Sequence, residues 1–180
     1  MRKEFFQEIE IPEGIEVVLE KDNLIVKGPE GENKREFNVR NLLFEVKGRK
    51  IVIGNKKSTK NDKKKINTIT AHIKNMIAGV QEKFVYILKV VFSHFPISVD
   101  VTGNEIIVKN FLGEKVPRKC VIPKGAEVEI DKNIITIASI NKEIAGQAAA
   151  NLERITKIKS KDKRVFQDGI YITNKAGREI

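Results

Sequence analysis

The chain repeats itself, and the repeat limits what it can fold into more than any other feature. IEVVLEKDNLIVKGPEGENKREFN, from Ile15, lies without a gap over ISVDVTGNEIIVKNFLGEKVPRKC, from Ile97. The alignment pairs Ile15 with Ile97, Val17 with Val99, Ile25 with Ile107, Val26 with Val108, Lys27 with Lys109, Gly31 with Gly113 and Glu32 with Glu114. FEVKGRKIVI, from Phe44, then lies over VEIDKNIITI, from Val128, with a slip of two residues that we place in the turn at Pro123 to Gly125. Self-similarity at a fixed offset means one structural unit built twice. We expect the first copy over residues 1–83, the second over 84–156, and a basic C-terminal arm over 157–180 added to copy two.

Each copy reads as strands followed by one helix. VVLEKDNLIVKG is two alternating runs split at Asp22-Asn23, and VDVTGNEIIVKN repeats the pattern around Gly103-Asn104. FEVKGRKIVIG turns at Lys47-Gly48, and VEIDKNIITIA turns at Asp131 to Asn133. Short connections of this kind make hairpins, so the strands pair antiparallel. Copy one then sets Ile66, Ile69, Ile73, Met76, Ile77 and Val80 on one helical face. Copy two does the same with Ile144, Ala148, Leu152 and Ile155, behind Asn141 as N-cap. The predicted fold class is α+β: a tandem duplication in which each repeat is an antiparallel sheet of hairpins packed on one amphipathic helix. A unit this small buries only a modest core. The apolar run FVYILKVVF, Phe84 to Phe92, is therefore expected to hold the copies together.

The net charge is +10, and it is concentrated. GNKKSTKNDKKK (54–65) has six lysines and one aspartate; KIKSKDKRV (157–165) has five cations and one aspartate. These two stretches hold nearly all of the excess, whereas an ordinary soluble surface intersperses the signs. That pattern is an electrostatic footprint for a polyanion, nucleic acid before others. No run approaches a membrane span, and the N-terminal MRKEFFQEIEIPEG lacks the apolar block of a secretory signal. With Cys120 the single cysteine, a reducing cytoplasm is the default location.

Motifs for catalysis or metal binding are missing. His72 and His94 are far apart in sequence, and each reads as a polar or half-buried histidine. Cys120 falls in a strand pattern and reads as a small core residue. There is no nucleophile elbow, Walker-type loop or metal-spaced carboxylate cluster, so no enzyme, cofactor or small-molecule substrate is predicted. The glycines of GPEG, Gly28 to Gly31, fall between strands and read as a turn, not as the helix-to-helix clamp of a KH domain. Aromatics make up 6% of residues and tryptophan none, a poor set for base stacking.

Backbone recognition remains. The alternating cations Lys157, Lys159, Lys161, Lys163 and Arg164 suit an extended arm following a row of phosphates. FQDGIY anchors it: Phe166 and Tyr171 pack down, Gly169 permits a tight turn, and Asp168 hydrogen-bonds nearby backbone amides. Arg154 and Lys175 complete this candidate RNA-binding set. Lys56, Lys57, Lys60, Lys63, Lys64 and Lys65 form a second candidate basic patch.

KSKDKRVFQDGIY resembles the C-terminal signature of the ribosomal protein L-six family in its archaeal and eukaryotic branch (L-nine in eukaryotes). HIKNMIAGV (His72 to Val80), SHFPI (Ser93 to Ile97) and NFLGEK (Asn110 to Lys115) resemble the same branch, in the expected order. Arg154 stands where that signature would open with glutamine. The resemblance implies a duplicated, non-catalytic α+β protein of the large ribosomal subunit in the cytoplasm. By that similarity it binds large-subunit rRNA near the sarcin–ricin loop and the stalk base, mainly through the second repeat and its tail. The first repeat would reach toward neighbouring ribosomal proteins at the stalk base and the region where translational GTPases bind. The alternatives are a general polyanion- or RNA-binding module outside the ribosome, and a small nuclease or RNA-modifying enzyme. The nuclease needs convergent carboxylates or histidines, and the acids here are scattered along hairpins.

Overall fold

A computed structural model describes residues 3–180 and separates into two compact units, one ending at Lys83 and the other beginning at Phe84. The first contains β1 (Lys3–Glu10), β2 (Glu16–Glu20), β3 (Asn23–Gly28), β4 (Gly31–Glu36), β5 (Leu43–Lys47), β6 (Lys50–Ser58) and α1 (Lys60–Gln81). Its strands form two antiparallel sheets, ordered β1-β6-β5 and β2-β3-β4. Alternation along β3 and β6 sends Leu24, Val26, Ile51 and Ile53 inward, each without solvent exposure. The six apolar residues read onto one face of α1 are all buried against them.

Two local signals fix the start of α1. The Thr59 hydroxyl accepts from the Asp62 N–H, and the Asp62 carboxylate accepts from the Thr59 N–H at 2.8 Å. This reciprocal cap satisfies two of the amides that open a helix.

The second unit contains β7 (Phe84–Val91), β8 (Ser98–Thr102), β9 (Glu105–Lys109), β10 (Arg118–Val121), β11 (Glu127–Asp131), β12 (Ile134–Ser139), α2 (Lys142–Ile155), β13 (Gly169–Lys175) and β14 (Arg178–Glu179). Its sheets are β10-β9-β8 and β11-β12-β7-β13-β14. Asn141 caps α2 by accepting from the Glu143 N–H. The face of α2 that is buried differs in detail from the sequence reading. Ala145, Ala148, Ala149 and Leu152 are buried, while Ile144 and Ile155 sit at its margins. Small side chains let the helix lie close to the sheet, so alanines rather than isoleucines mark the contact.

The duplication persists in the backbone. The four hairpin turns each begin with a left-handed residue: Lys21 and Gly103 in one equivalent pair, Gly48 and Lys132 in the other, with φ between 51° and 60°. Where one copy uses glycine, the other forces lysine into the conformation glycine prefers. The registers also relocate the slip between copies. Val26 pairs with Asn33, but its counterpart Val108 pairs with Arg118, a longer connection that holds the 3₁₀ turn Phe111–Gly113. Three residues therefore enter at NFLGEKVP, ahead of Pro123, and one is lost again before β11, which leaves the net slip of two.

Two further readings are corrected. Each repeat's hairpins form two sheets where one was expected. Phe84–Val91 pairs on both sides with strands of the second unit and is the counterpart of β1. The segment after α2 is not a free arm: residues 169–175 pair with β7 as part of the sheet.

Candidate nucleic-acid interface

The cationic segment is a closed loop between α2 and β13. Thr156, 3% exposed, accepts the Ile170 N–H through its hydroxyl at 2.9 Å, and this tie closes the base of the loop. Ile158 is buried within it, and Asp162 accepts the amides of Val165 and Phe166 through its carbonyl to make a turn. Interior packing and a turn hold the segment as a compact loop of the Ω kind. An extended cationic track does not form, because Ile158 turns inward and Ser160 takes a left-handed φ of 57°.

Asp168 is the second tie. It has no solvent exposure, and three donors converge on it: Ser93 Oγ at 2.9 Å, His94 Nδ1 at 2.9 Å and the His94 N–H at 3.1 Å. Burial alone would raise its pKa. The hydrogen bonds from His94 and Ser93 outweigh that and hold it at about 2, so the group is a carboxylate at neutral pH. Because a carboxylate only accepts, the proton between it and His94 resides on Nδ1. The imidazole stacks on Phe166, with centroids 4.8 Å apart, and Lys161 Nζ lies 4.7 Å from the Phe166 ring centre. These partners are remote in sequence, not the nearby amides expected. Among the described residues, no group of three or more His, Cys, Asp or Glu is placed to hold a metal.

The remaining anchor residues behave differently from their sequence reading. Phe166 is half-buried, but Tyr171 is 41% exposed and its hydroxyl donates to the Gln167 carbonyl. As part of β13, Tyr171 takes a strand position whose side chain points outward. Gly169 opens the strand and does not make a turn; a Cβ there would come within 3.3 Å of the Tyr171 ring.

Closing the loop divides the cations. Lys157 and Lys163 line a cleft of about 460 Å³ with Arg154, Phe166, Ile170 and Tyr171. Lys159 and Lys161 line a second, of about 410 Å³, with Leu112, Glu114 and Arg118. Arg164 is in neither, and its guanidinium pairs with Asp162 at 2.8 Å. That pairing lowers the Asp162 pKa and raises that of Arg164. Lys175 is six residues along β13 from Gly169, ~20 Å at strand rise, so it lies apart from the loop.

Arg118 belongs to this region and carried no motif to reveal it. It donates to both Glu114 carboxylate oxygens and to the Ile155 carbonyl at the end of α2, with its guanidinium 4.3 Å from the Phe111 ring centre. The second patch lies in the first unit. Lys56 and Lys57 end β6, while Lys60, Lys63, Lys64 and Lys65 open α1; all six are exposed. A helix N-terminus carries partial positive charge, so lysines there are electrostatically unfavourable unless an anion joins them.

With this geometry in place, the comparisons are specific. The family profile described as Ribosomal protein L6 matches the chain twice, over residues 11–83 and 95–169, once in each unit. A protein of Methanobrevibacter smithii named large ribosomal subunit protein uL6 is 46% identical over 169 residues, covering 94% of this chain and 95% of its own. Proteins of the same name from Archaeoglobus fulgidus and Methanosarcina mazei are 46% and 44% identical. They cover 93% and 98% of this chain, and 88% and 100% of their own lengths. Near-complete coverage in both directions, with a match to each repeat, leaves one conclusion: the chain belongs to the ribosomal protein L6 family.

Proposed function

We propose that the chain is a structural constituent of the large ribosomal subunit, acting in the cytoplasm, and that its second unit binds large-subunit rRNA through the loop between α2 and β13. The reading extends to a site near the sarcin–ricin loop and stalk base, beside neighbouring ribosomal proteins and the region where translational GTPases bind. Family membership and the relatives' shared name support the coarse assignment. One observation carries the RNA-binding assignment: the double tie at Thr156 and Asp168 fixes a loop whose Lys157, Lys159, Lys161 and Lys163 are all exposed. Cations already fixed by the fold lose little further conformational freedom when a partner of matching shape and charge binds. Arg154 and Arg118 extend the same basic surface. The patch at the start of α1 is a second point of contact for RNA.

The test is salt-dependent binding to a large-subunit RNA fragment containing the sarcin–ricin stem, against an unrelated duplex. A preference for the stem that is lost when Lys157, Lys159, Lys161, Lys163 and Arg164 are all changed to Ser supports the reading. Equal binding to both RNAs, or equal affinity for heparin, favours a general polyanion binder.

A further inference from the structure

The two copies differ at one strand edge. In the second unit β7 has β12 on one side and β13 on the other. Its counterpart β1 has β6 on one side and is the terminal strand of its sheet. The hydrogen-bond alternation identifies the groups on that open side. Ile11 donates its N–H to the Arg49 carbonyl, one step beyond the pairing of Glu10 with Lys50. In an antiparallel ladder the inward-bonding residues alternate. Gln7 and Ile9 therefore point their backbone groups at β6, and Phe6, Glu8 and Glu10 point theirs outward. In β7, Val90 donates toward the β12 side, to the Asn133 carbonyl. Val85 and Ile87 accept from Ala176 N and Thr173 Oγ1 on the β13 side. Registers through β6 and β12 make Val85, Ile87 and Lys89 the counterparts of Phe6, Glu8 and Glu10. Where β13 docks in the second copy, the first copy presents the same backbone groups with no backbone partner among the described residues.

We propose that the outer edge of β1 is a docking surface for an extended, cationic segment of another protein, which pairs antiparallel with Phe6, Glu8 and Glu10 as β13 pairs with β7. The charge of the edge selects the occupant. Glu8 and Glu10 lie on one face of β1, Glu4 sits at the bulge near its start, and all three are exposed. Lys50 holds Glu8 at 3.0 Å and also attracts Glu10. Three carboxylates repel a second copy of the same edge and repel nucleic acid, but they favour cations directly across a new strand pair. Acidic side chains on an edge also deter promiscuous pairing. Here that protection and the selectivity have one origin, since a strand with lysine or arginine at alternate positions converts the repulsion to attraction. Strand addition at an exposed edge takes its affinity from the main chain and its choice of partner from alternate side chains.

The test uses the full chain with two synthetic peptides, one alternating lysine with valine and one alternating glutamate with valine. Amide hydrogen exchange is read residue by residue. The lysine peptide is expected to slow exchange at Phe6, Glu8 and Glu10 at least tenfold, leaving Gln7 and Ile9 unchanged, and the glutamate peptide is expected to do neither. Glu8→Pro removes one outward N–H and no bond to β6, since proline is tolerated at the solvent side of an edge strand. It should abolish the protection while the chain melts within a few degrees of wild type. Glu4→Lys with Glu10→Lys should transfer the preference to the glutamate peptide. No protection by either peptide, protection that survives Glu8→Pro, or protection by RNA in place of the lysine peptide would overturn the proposal.

Discussion

The buried carboxylate of Asp168 accepts hydrogen bonds from both the backbone N–H and the Nδ1 of His94, 74 residues earlier in the chain. All three groups that converge on it, with Ser93 Oγ, are donors. Asp168→Asn removes the charge that these donors serve, and its NH₂ can be met only if Ser93 Oγ and His94 Nδ1 turn from donors into acceptors. Losing the charge-assisted bonds costs about 1.5–3 kcal/mol. The expected outcome is a lower melting temperature, with trypsin cleaving first at Lys161 to Arg164. The carboxylate also sets a pH dependence. Its folded pKa, about 2, lies below the unfolded value near 3.8. Its stabilisation is thus complete above about pH 4 and is lost as pH falls toward 2. A gap of about two units corresponds to about 2–3 kcal/mol. The carboxylate is fully buried, so solvent screening that weakens surface pairs does not apply here. Urea denaturation between pH 5 and pH 2 should show this limb in wild type and a flatter one in Asp168→Asn.

His94→Ala isolates the imidazole. Ser93 Oγ and the backbone N–H at 94 still reach Asp168, so this variant should lose less stability than Asp168→Asn, about 1–2 kcal/mol. Removing the imidazole's hydrogen bond, which opposes the effect of burial, should raise the Asp168 pKa and move the acid limb to higher pH. Carboxyl NMR titration of Asp168 in the two proteins measures the displacement directly. An unchanged pKa would mean the backbone N–H and Ser93 suffice to hold the group ionised.

Most of the fold was legible from the residues, and the site only partly so, for a physical reason. Alternation and hairpin turns are local, so β2 with β3, β5 with β6, β8 with β9 and β11 with β12 follow from windows of a dozen residues. The stripe on α1 follows from helical period in the same way. Pairings that close over long distances leave no such trace. Nothing near Asp168 announces Ser93 and His94, and nothing near Arg118 announces the end of α2. Lys157 to Lys163 alternate in sequence as a strand would, yet the burial of Ile158 and the turn at Asp162 override that periodicity. SHFPI and FQDGIY were each visible as a block of a familiar family, but their contact is a property of the sheet that brings β7 beside β13.

The lysines that open α1 set stability against binding. Lys60 is the first residue of the helix and Lys63 follows one turn later, both facing a partly positive helix end. Lys60→Glu with Lys63→Glu should raise stability by about 0.5–1 kcal/mol, read by chemical denaturation, since losing the Lys63 contact with the Phe5 ring at 5.2 Å offsets part of the gain, if the reciprocal cap at Thr59 and Asp62 stays intact. The same pair should lower affinity for large-subunit RNA several-fold if this patch engages phosphates. Higher stability with unchanged RNA affinity would reduce the patch to solvated lysines. Thr59→Ala serves as the control, since it should cost about 1 kcal/mol and leave RNA affinity alone.

The division of the loop cations between two clefts makes the sharpest prediction. A single extended arm would weight Lys157, Lys159, Lys161, Lys163 and Arg164 alike. The closed loop instead groups Lys157 with Lys163 and Lys159 with Lys161, and spends Arg164 on Asp162. Changing either lysine pair to Ser should flatten the log–log salt dependence of RNA binding by about 1.4–1.8, two phosphate contacts' worth, and the two pairs should add. Arg164→Ser should do much less, because its charge is already partly compensated. Asp162→Asn frees that guanidinium and should tighten binding several-fold, although it also loosens the turn. Lys175→Ser, ~20 Å along β13 from the base of the loop, should leave the slope unchanged. Equal effects from all five loop cations would return the segment to an extended arm when RNA is bound.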